Sequence, residues 1–242
     1  MGSMTEDAKR YAAALAWRYR HLEGEALLRP LITHEFAGRI ALLSSFGAEA
    51  ALLLAMVAHI DRMTPVIFLD TGKLFGETLR YRDALVARFG LGDLRVVAPD
   101  PAELAQHDPD GTLWHRDADA CCRLRKVAPL ERALVDFDAC ISGRKRYQGG
   151  ARVGLDLVEA AEGFIRINPL ASYTRERIEC EFAAWGLPAH PLEADGFLSI
   201  GCMPCTDRVA PMEDRRAGRW RGLDKTECGI DDAARRHAGS RP

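Results

Sequence analysis

Short apolar runs alternate with helix-length segments as far as about residue 170, and this alternation confines the chain to a parallel sheet covered by helices. Residues 39–43, 65–70, 94–98 and 139–142 are strand-like, while 48–60, 76–89, 123–135 and 175–185 carry helix-length patterns. The first two runs flank a helix-length segment, which is the start of a β-α-β unit. The expected fold class is α/β: one domain over residues 5–206, with a mostly parallel twisted sheet flanked by helices. After Gly201 the composition shifts toward arginine, glycine and charge with little apolar periodicity, so residues 207–242 are expected to form a mobile C-terminal segment. Residues 1–4, Met-Gly-Ser-Met, read as an expression scar.

Four of the seven cysteines form two tight pairs, Cys121-Cys122 and Cys202-x-x-Cys205. Thiolates gathered from distant points of a chain complete four-sulfur metal sites, whose usual occupants are iron-sulfur clusters and structural zinc. Zinc sites normally keep two to four residues inside each pair, whereas Cys121 and Cys122 are neighbours with diverging side chains. A cubane offers separate iron corners to such thiolates, so an iron-sulfur cluster is the expected occupant; zinc, or four plain buried cysteines, remain as alternatives. Disulfides are disfavoured, because no signal peptide is evident and no hydrophobic stretch reaches the about 20 residues of a spanning helix; the expected setting is a reducing cytoplasm. Cys140, in an apolar strand, and Cys180, in a helical segment, read as small core hydrophobes.

A formal charge of -2 with 48% hydrophobic residues describes an ordinary globular chain and excludes a nucleic-acid binder by bulk charge. Ligands of open α/β sheets collect at the carboxyl ends of the strands. The first strand runs into Ser44-Ser-Phe-Gly-Ala-Glu49, a small-residue turn at a helix start, suited to phosphate or sulfate. Taken alone, either serine serves equally well as a helix N-cap. Leu69-Asp-Thr-Gly72 follows the second strand, and Ser142-Gly-Arg-Lys-Arg146 places cations after a later one. Lys126 lies one helical turn beyond Cys122, where its ammonium can stand between a negative cluster and an anionic ligand; a solvated lysine is the bland alternative. Cys228, in Lys225-Thr-Glu-Cys-Gly229, has no packing reason to sit on a polar tail, but in a pocket rich in Lys and Arg it makes a nucleophile.

Together these segments, with Cys121-Cys-Arg-Leu-Arg-Lys-Val-Ala-Pro-Leu130, Asn168-Pro-Leu170, Gly201-Cys-Met-Pro-Cys-Thr206 and Ala217-Gly-Arg-Trp220, resemble the ordered signatures of the assimilatory sulfonucleotide reductases over about residues 35–230. The four-cysteine set resembles the iron-sulfur branch, the adenosine 5'-phosphosulfate reductases; relatives using the 3'-phosphorylated nucleotide usually lack it. The resemblance implies an adenine nucleotide alpha hydrolase-like fold and a [4Fe-4S] cluster on Cys121, Cys122, Cys202 and Cys205. It further implies that Cys228 attacks adenosine 5'-phosphosulfate, expels AMP and keeps an S-sulfonate, which thioredoxin or glutaredoxin then reduces to sulfite. By the same resemblance Ser44, Ser45 and Gly47 hold the anion, Leu69 and Thr71 the adenine, and Gly143 and Arg144 the ribose and phosphate. Lys126, Arg152, Arg216 and Arg219 are implied to face the phosphosulfate. Neither a nucleic acid nor a membrane is an expected partner, and a homo-oligomer is left open.

Three positions depart from the pattern: Asp231 stands where histidine is usual, Tyr147 where an acid is frequent, and Asp207 where arginine is common. Three other readings remain: use of the 3'-phosphorylated nucleotide, alone or as well; an adenylating enzyme of the ATP pyrophosphatase kind, which would carry a fuller Ser-Gly-Gly-x-Asp-Ser loop; and an iron-sulfur redox sensor.

Overall fold

The computed structural model describes residues 2–161 and 164–230, with side chains from Glu6 onward. Six strands make one sheet: β1 (Ile40–Leu43), β2 (Val66–Leu69), β3 (Leu94–Val97), β4 (Ala139–Ile141), β5 (Val158–Ala161) and β6 (Phe164–Ile167). Their spatial order is β3-β2-β1-β4-β6-β5; every neighbouring pair is parallel except β5 and β6, which run antiparallel. The chain leaves β1 toward β2 on one side and later returns to β4 on the other. The cleft outside the carboxyl ends of β1 and β4 is therefore the switch point at which such sheets bind ligands.

The strands are short and nearly all apolar because both faces are covered. Ile40, Leu42, Val66, Phe68, Ala139 and Ile141 join one core, while Ala41, Ile67, Leu69 and Cys140 join the other, as the two-residue period requires. On the first face lies α3 (Ala50–Ile60), whose residues 51–58 are all buried. A helix apolar all round needs cover on every side. Here α1 (Gly2–Arg18) and α2 (Gly24–Pro30) join α4 (Gly76–Phe89) and α9 (Arg175–Ala184) around that core. On the second face, α5 (Pro101–His107) and α6 (Leu113–Arg116) lead to α7 (Ala118–Cys122), a wide turn over Arg123–Val127, and α8 (Ala128–Ala133).

The helix expected from residue 123 thus begins earlier, because Asp117 caps Asp119 N and Ala120 N at 3.0 and 2.8 Å. Cys140 is buried as expected, but Cys180 is exposed, since α9 is largely polar and buries Ile178 instead. Residues 207–230 of the segment expected to be mobile are docked on the domain, with Val209 and Trp220 buried. The remainder of that segment, Asp231 included, lies outside the described residues. Gly2–Met4, read as a scar, belong to the first turn of α1. No helix among the described residues is long and apolar enough to cross a membrane.

Candidate active site

The loop after β1 is shaped by Phe46. Its side chain is fully buried edge-to-face on Phe68, 5.4 Å between centroids, and it holds a left-handed φ of 49° that bulky residues rarely adopt. Phe46 N donates to Ser44 Oγ at 3.2 Å, so Ser44 braces the loop. The residue at the N-cap of α3 is Glu49, and no side chain caps this helix, so neither serine plays that role. A Cβ on Gly47 would meet Ile200 O at 3.2 Å, and glycine is what lets the two segments approach.

This loop, the ends of β2 and β4, and the C-terminal segment enclose a cavity of about 480 Å3. All twelve nominated substrate and nucleophile positions line it: Ser44, Ser45, Gly47, Leu69, Thr71, Lys126, Gly143, Arg144, Arg152, Arg216, Arg219 and Cys228. Cys228 comes from the far end of the sequence and is half-buried there. The neighbouring Ile230 packs into the second core, and Lys225 forms an ion pair with Asp119 on α7. Arg219 stacks 4.3 Å from the centroid of the Trp220 ring. Burial opposes the charge of Lys126, but Coulombic attraction to Cys202, Cys228 and Cys122 in their thiolate form outweighs it and holds the ammonium above the ordinary lysine range.

Several lining residues have partners that the motifs do not reveal. Lys145 Nζ is buried and donates to Glu49 Oε2 at 2.7 Å, while Tyr147, one of the departures, donates its hydroxyl to the other carboxylate oxygen. Despite its burial, Glu49 is held below the usual carboxylate range by Lys145 and Tyr147. Arg144 donates to Glu159 at 2.7 Å and to Asn168 at 3.2 Å. Glu227 takes both forks of Arg152, at 2.7 and 2.8 Å. The departure Asp207 is exposed, and its amide donates to Gly218 O at 2.8 Å.

Beside this cavity, Cys121, Cys122, Cys202 and Cys205 line one small void together with Arg125 and Lys126. The Cys202 segment is pinned there by Met203 N donating to Lys73 O at 2.7 Å, and Thr71 Oγ1 lies 3.2 Å from Cys202 Sγ. Burial pushes the Cys121 and Cys122 thiols up to about 11, a cost that only a metal or a nearby cation offsets in the thiolate form. Among the described residues no three His, Cys, Asp or Glu side chains converge as a single ion requires, yet four thiols share this void. Four thiols from two separate segments are the donor set that an iron-sulfur cluster takes. Trp220, whose buried Nε1 has no acceptor among the described residues, lines the main cavity, and its backbone N–H donates to Cys205 O at 3.2 Å.

Residues 39–208 match the family described as phosphoadenosine phosphosulfate reductase domain. The chain is 49% identical over 230 residues to a protein of Mesorhizobium japonicum named adenosine 5'-phosphosulfate reductase, covering 95% of this chain and 91% of that one. It is 39% identical to a protein of the same name from Mycolicibacterium smegmatis, covering 94% of each. It is also 39% identical to a Gloeobacter violaceus protein named phosphoadenosine 5'-phosphosulfate reductase, covering 89% of this chain and 91% of that one. In fold it is similar to the phosphoadenylyl-sulfate reductase of Candida auris, with a TM-score of 0.68 at 23% identity over 83% of this chain and 97% of that one.

Proposed function

The chain belongs to the phosphoadenosine phosphosulfate reductase family, and on that premise we propose that it reduces adenosine 5'-phosphosulfate to sulfite and AMP in sulfate assimilation. The observation that carries this reading is the arrival of Cys228 in the cavity at the strand ends, among Lys126, Arg152, Arg216 and Arg219. The Cys228 thiolate attacks the substrate sulfur, the S–O bond to AMP breaks, and a Cys228 S-sulfonate remains. A thiolate of thioredoxin or glutaredoxin then attacks Cys228 Sγ and expels sulfite, leaving a mixed disulfide. The donor's second thiol resolves that disulfide and restores Cys228. The donor dithiol thus supplies the two electrons that take sulfur from sulfate to sulfite.

Guanidinium forks and the buried Lys126 ammonium match the oxygens on which charge builds as AMP departs. The anion loop bearing Ser44, Ser45 and Gly47, the adenine-side Leu69 and Thr71, and Gly143 with Arg144 divide the nucleotide between them on this reading. Cys121, Cys122, Cys202 and Cys205 would hold a [4Fe-4S] cluster, which when bound supplies fixed charge and a link between α7 and the 202–205 segment. The catalytic unit is residues 5–206, and 207–242 carry the nucleophile in and, for the donor's access, out. Thiolate chemistry at Cys228 and thiolate ligands to a cluster both call for a reducing setting, and a cytoplasmic enzyme is proposed on that ground.

The test is intact mass under denaturing conditions after anaerobic incubation with adenosine 5'-phosphosulfate and no donor. An adduct of about 80 Da on Cys228, lost on adding thioredoxin, is the expected result. Cluster-loaded protein that gains no such mass overturns the assignment. Discrimination against the 3'-phosphorylated nucleotide is also expected, because Lys145 and Arg144 already answer Glu49 and Glu159 and an extra phosphate would have to compete for them. The ratio of kcat/KM values should favour the unphosphorylated substrate by at least about 100-fold; a ratio near one refutes single-substrate use.

A further inference from the structure

Glu227 immediately precedes the nucleophile, and its carboxylate is placed as a substrate anion would be. Oε1 and Oε2 accept from Arg152 Nε and Nη2 at 2.7 and 2.8 Å, the two-pronged geometry in which guanidinium binds sulfate or phosphate. The third nitrogen of Arg152 donates to Gln148 Oε1, so every nitrogen of that guanidinium is engaged. Arg216 Nη2 lies 3.1 Å from Glu227 Oε1 and donates to Thr226 O at 2.6 Å. Both arginines line the cavity, and both are occupied by the protein's own residues 226 and 227.

Two partly buried guanidinium groups facing one cavity repel each other and favour a shared counter-anion. Arg216 reflects this crowding: burial and the neighbouring Arg152 lower its affinity for its proton, while Glu227 restores part of it. A sulfonucleotide offers the same chemistry as the carboxylate with more charge. It cannot take the two-pronged face of Arg152 while Glu227 holds it.

We propose that Glu227 is a positioning residue that occupies the anion forks of Arg152 and Arg216 when no sulfonucleotide is bound, so that substrate and tail compete for the same two guanidinium groups. The inference rests on the reading of these arginines as the phosphosulfate site. Arrival of the anion frees Glu227 and lets the 226–230 stretch reposition Cys228. Departure of AMP returns the carboxylate to the forks. Linkage makes the effect reciprocal: whatever anion binding does to tail docking, tail docking does to anion affinity. The apparent affinity of the wild type is reduced by the fraction of protein whose forks are open.

The experiment compares cluster-loaded wild type, Glu227→Gln and Glu227→Asp, under anaerobic conditions. AMP and adenosine are titrated calorimetrically, and alkylation of Cys228 by iodoacetamide is followed by peptide mass, which separates it from the exposed Cys180. AMP should bind Glu227→Gln about tenfold more tightly than wild type, with adenosine, which lacks the anion, within twofold. Glu227→Asp keeps the carboxylate and should fall between. Saturating AMP should speed alkylation of Cys228 several-fold in the wild type and leave the already fast Glu227→Gln unchanged. AMP affinity that is unchanged or weaker in Glu227→Gln overturns the inference, and a wild type that still forms the sulfonate adduct leaves the reductase reading standing. A wild type that forms no adduct sinks the reductase reading, and the AMP comparison then decides the competition by itself.

Discussion

Cys228→Ser is expected to lower turnover of adenosine 5'-phosphosulfate by about 10^4-fold or more, while AMP affinity and the thermal midpoint stay near the wild-type values. The reasoning is chemical. A serine hydroxyl is a far weaker acid and nucleophile than a thiol, and the thiolate is the attacking species that the reaction requires. Even a sulfated serine would stall, because the donor thiolate must attack a sulfur, and an ester oxygen offers none. The side chain is half-buried and nearly isosteric with serine, so no cavity or unpaired charge is created. The exposed Cys180, replaced by serine, should leave turnover unchanged. Steady-state kinetics with thioredoxin in excess decide the matter. A Cys228→Ser enzyme keeping more than about one-hundredth of wild-type turnover would place the nucleophile elsewhere.

How much of this was legible in the chain follows from which signals are local. The parallel core could be read because β1, β2 and β4 are short apolar runs separated by helix-length segments, and α4 spans the expected residues 76–89. The β5–β6 hairpin could not: Glu159 and Arg166 interrupt its apolar pattern, and Glu159 pairs there with both Arg166 and Arg144. Cys180 was misread because helical periodicity alone does not say which face of a polar helix is buried. Many of the motif residues converge on one cavity because they follow a strand end or flank a cysteine pair, positions that chain order already marks; Arg152, Arg216, Arg219 and Cys228 reach it through the fold of the later chain. Glu49, Lys145 and Glu227 stand inside those segments, but nothing in the segments assigns their partners. Their roles are pairwise, and partners 96 and 75 residues away leave no trace in spacing. For the same reason residues 207–230 read as mobile: ion pairs and one buried Trp220 hold them, not an apolar stripe.

Asp108→Ala is expected to be the most destabilising single change away from the cavity, costing about 3–5 kcal/mol. The Asp108 side chain is fully buried against Arg125, itself only 7% exposed, with Oδ2 at 2.5 and 3.2 Å from two of its nitrogens. Its other oxygen accepts Leu113 N at 2.8 Å. Removing the carboxylate leaves an almost fully buried guanidinium without its counter-charge, and a buried unpaired charge costs more than the pair ever contributed. Despite burial, Arg125 and the Leu113 amide hold Asp108 below the usual aspartate range. Its stabilising effect is therefore present above that ordinary range and lost as pH falls through the lower folded value, so the wild type should weaken in acid more steeply than the variant. The loss should appear as a fall of about 10 °C in the midpoint of anaerobically prepared protein. Asp108→Leu combined with Arg125→Met should recover much of it, since an apolar pair leaves no charge behind. A midpoint within 2 °C of wild type for Asp108→Ala, on the same scale, would mean that water or another anion reaches Arg125. The damage should also spread: Arg125 Nη1 donates to Thr71 O at 2.9 Å, and Thr71 Oγ1 rests 3.2 Å from Cys202 Sγ. Loosening Arg125 therefore frees the end of β2 on the nucleotide side and the cysteine void on the other, so the variant should melt earlier and, on the proposed reading of the four cysteines, lose a loaded cluster faster.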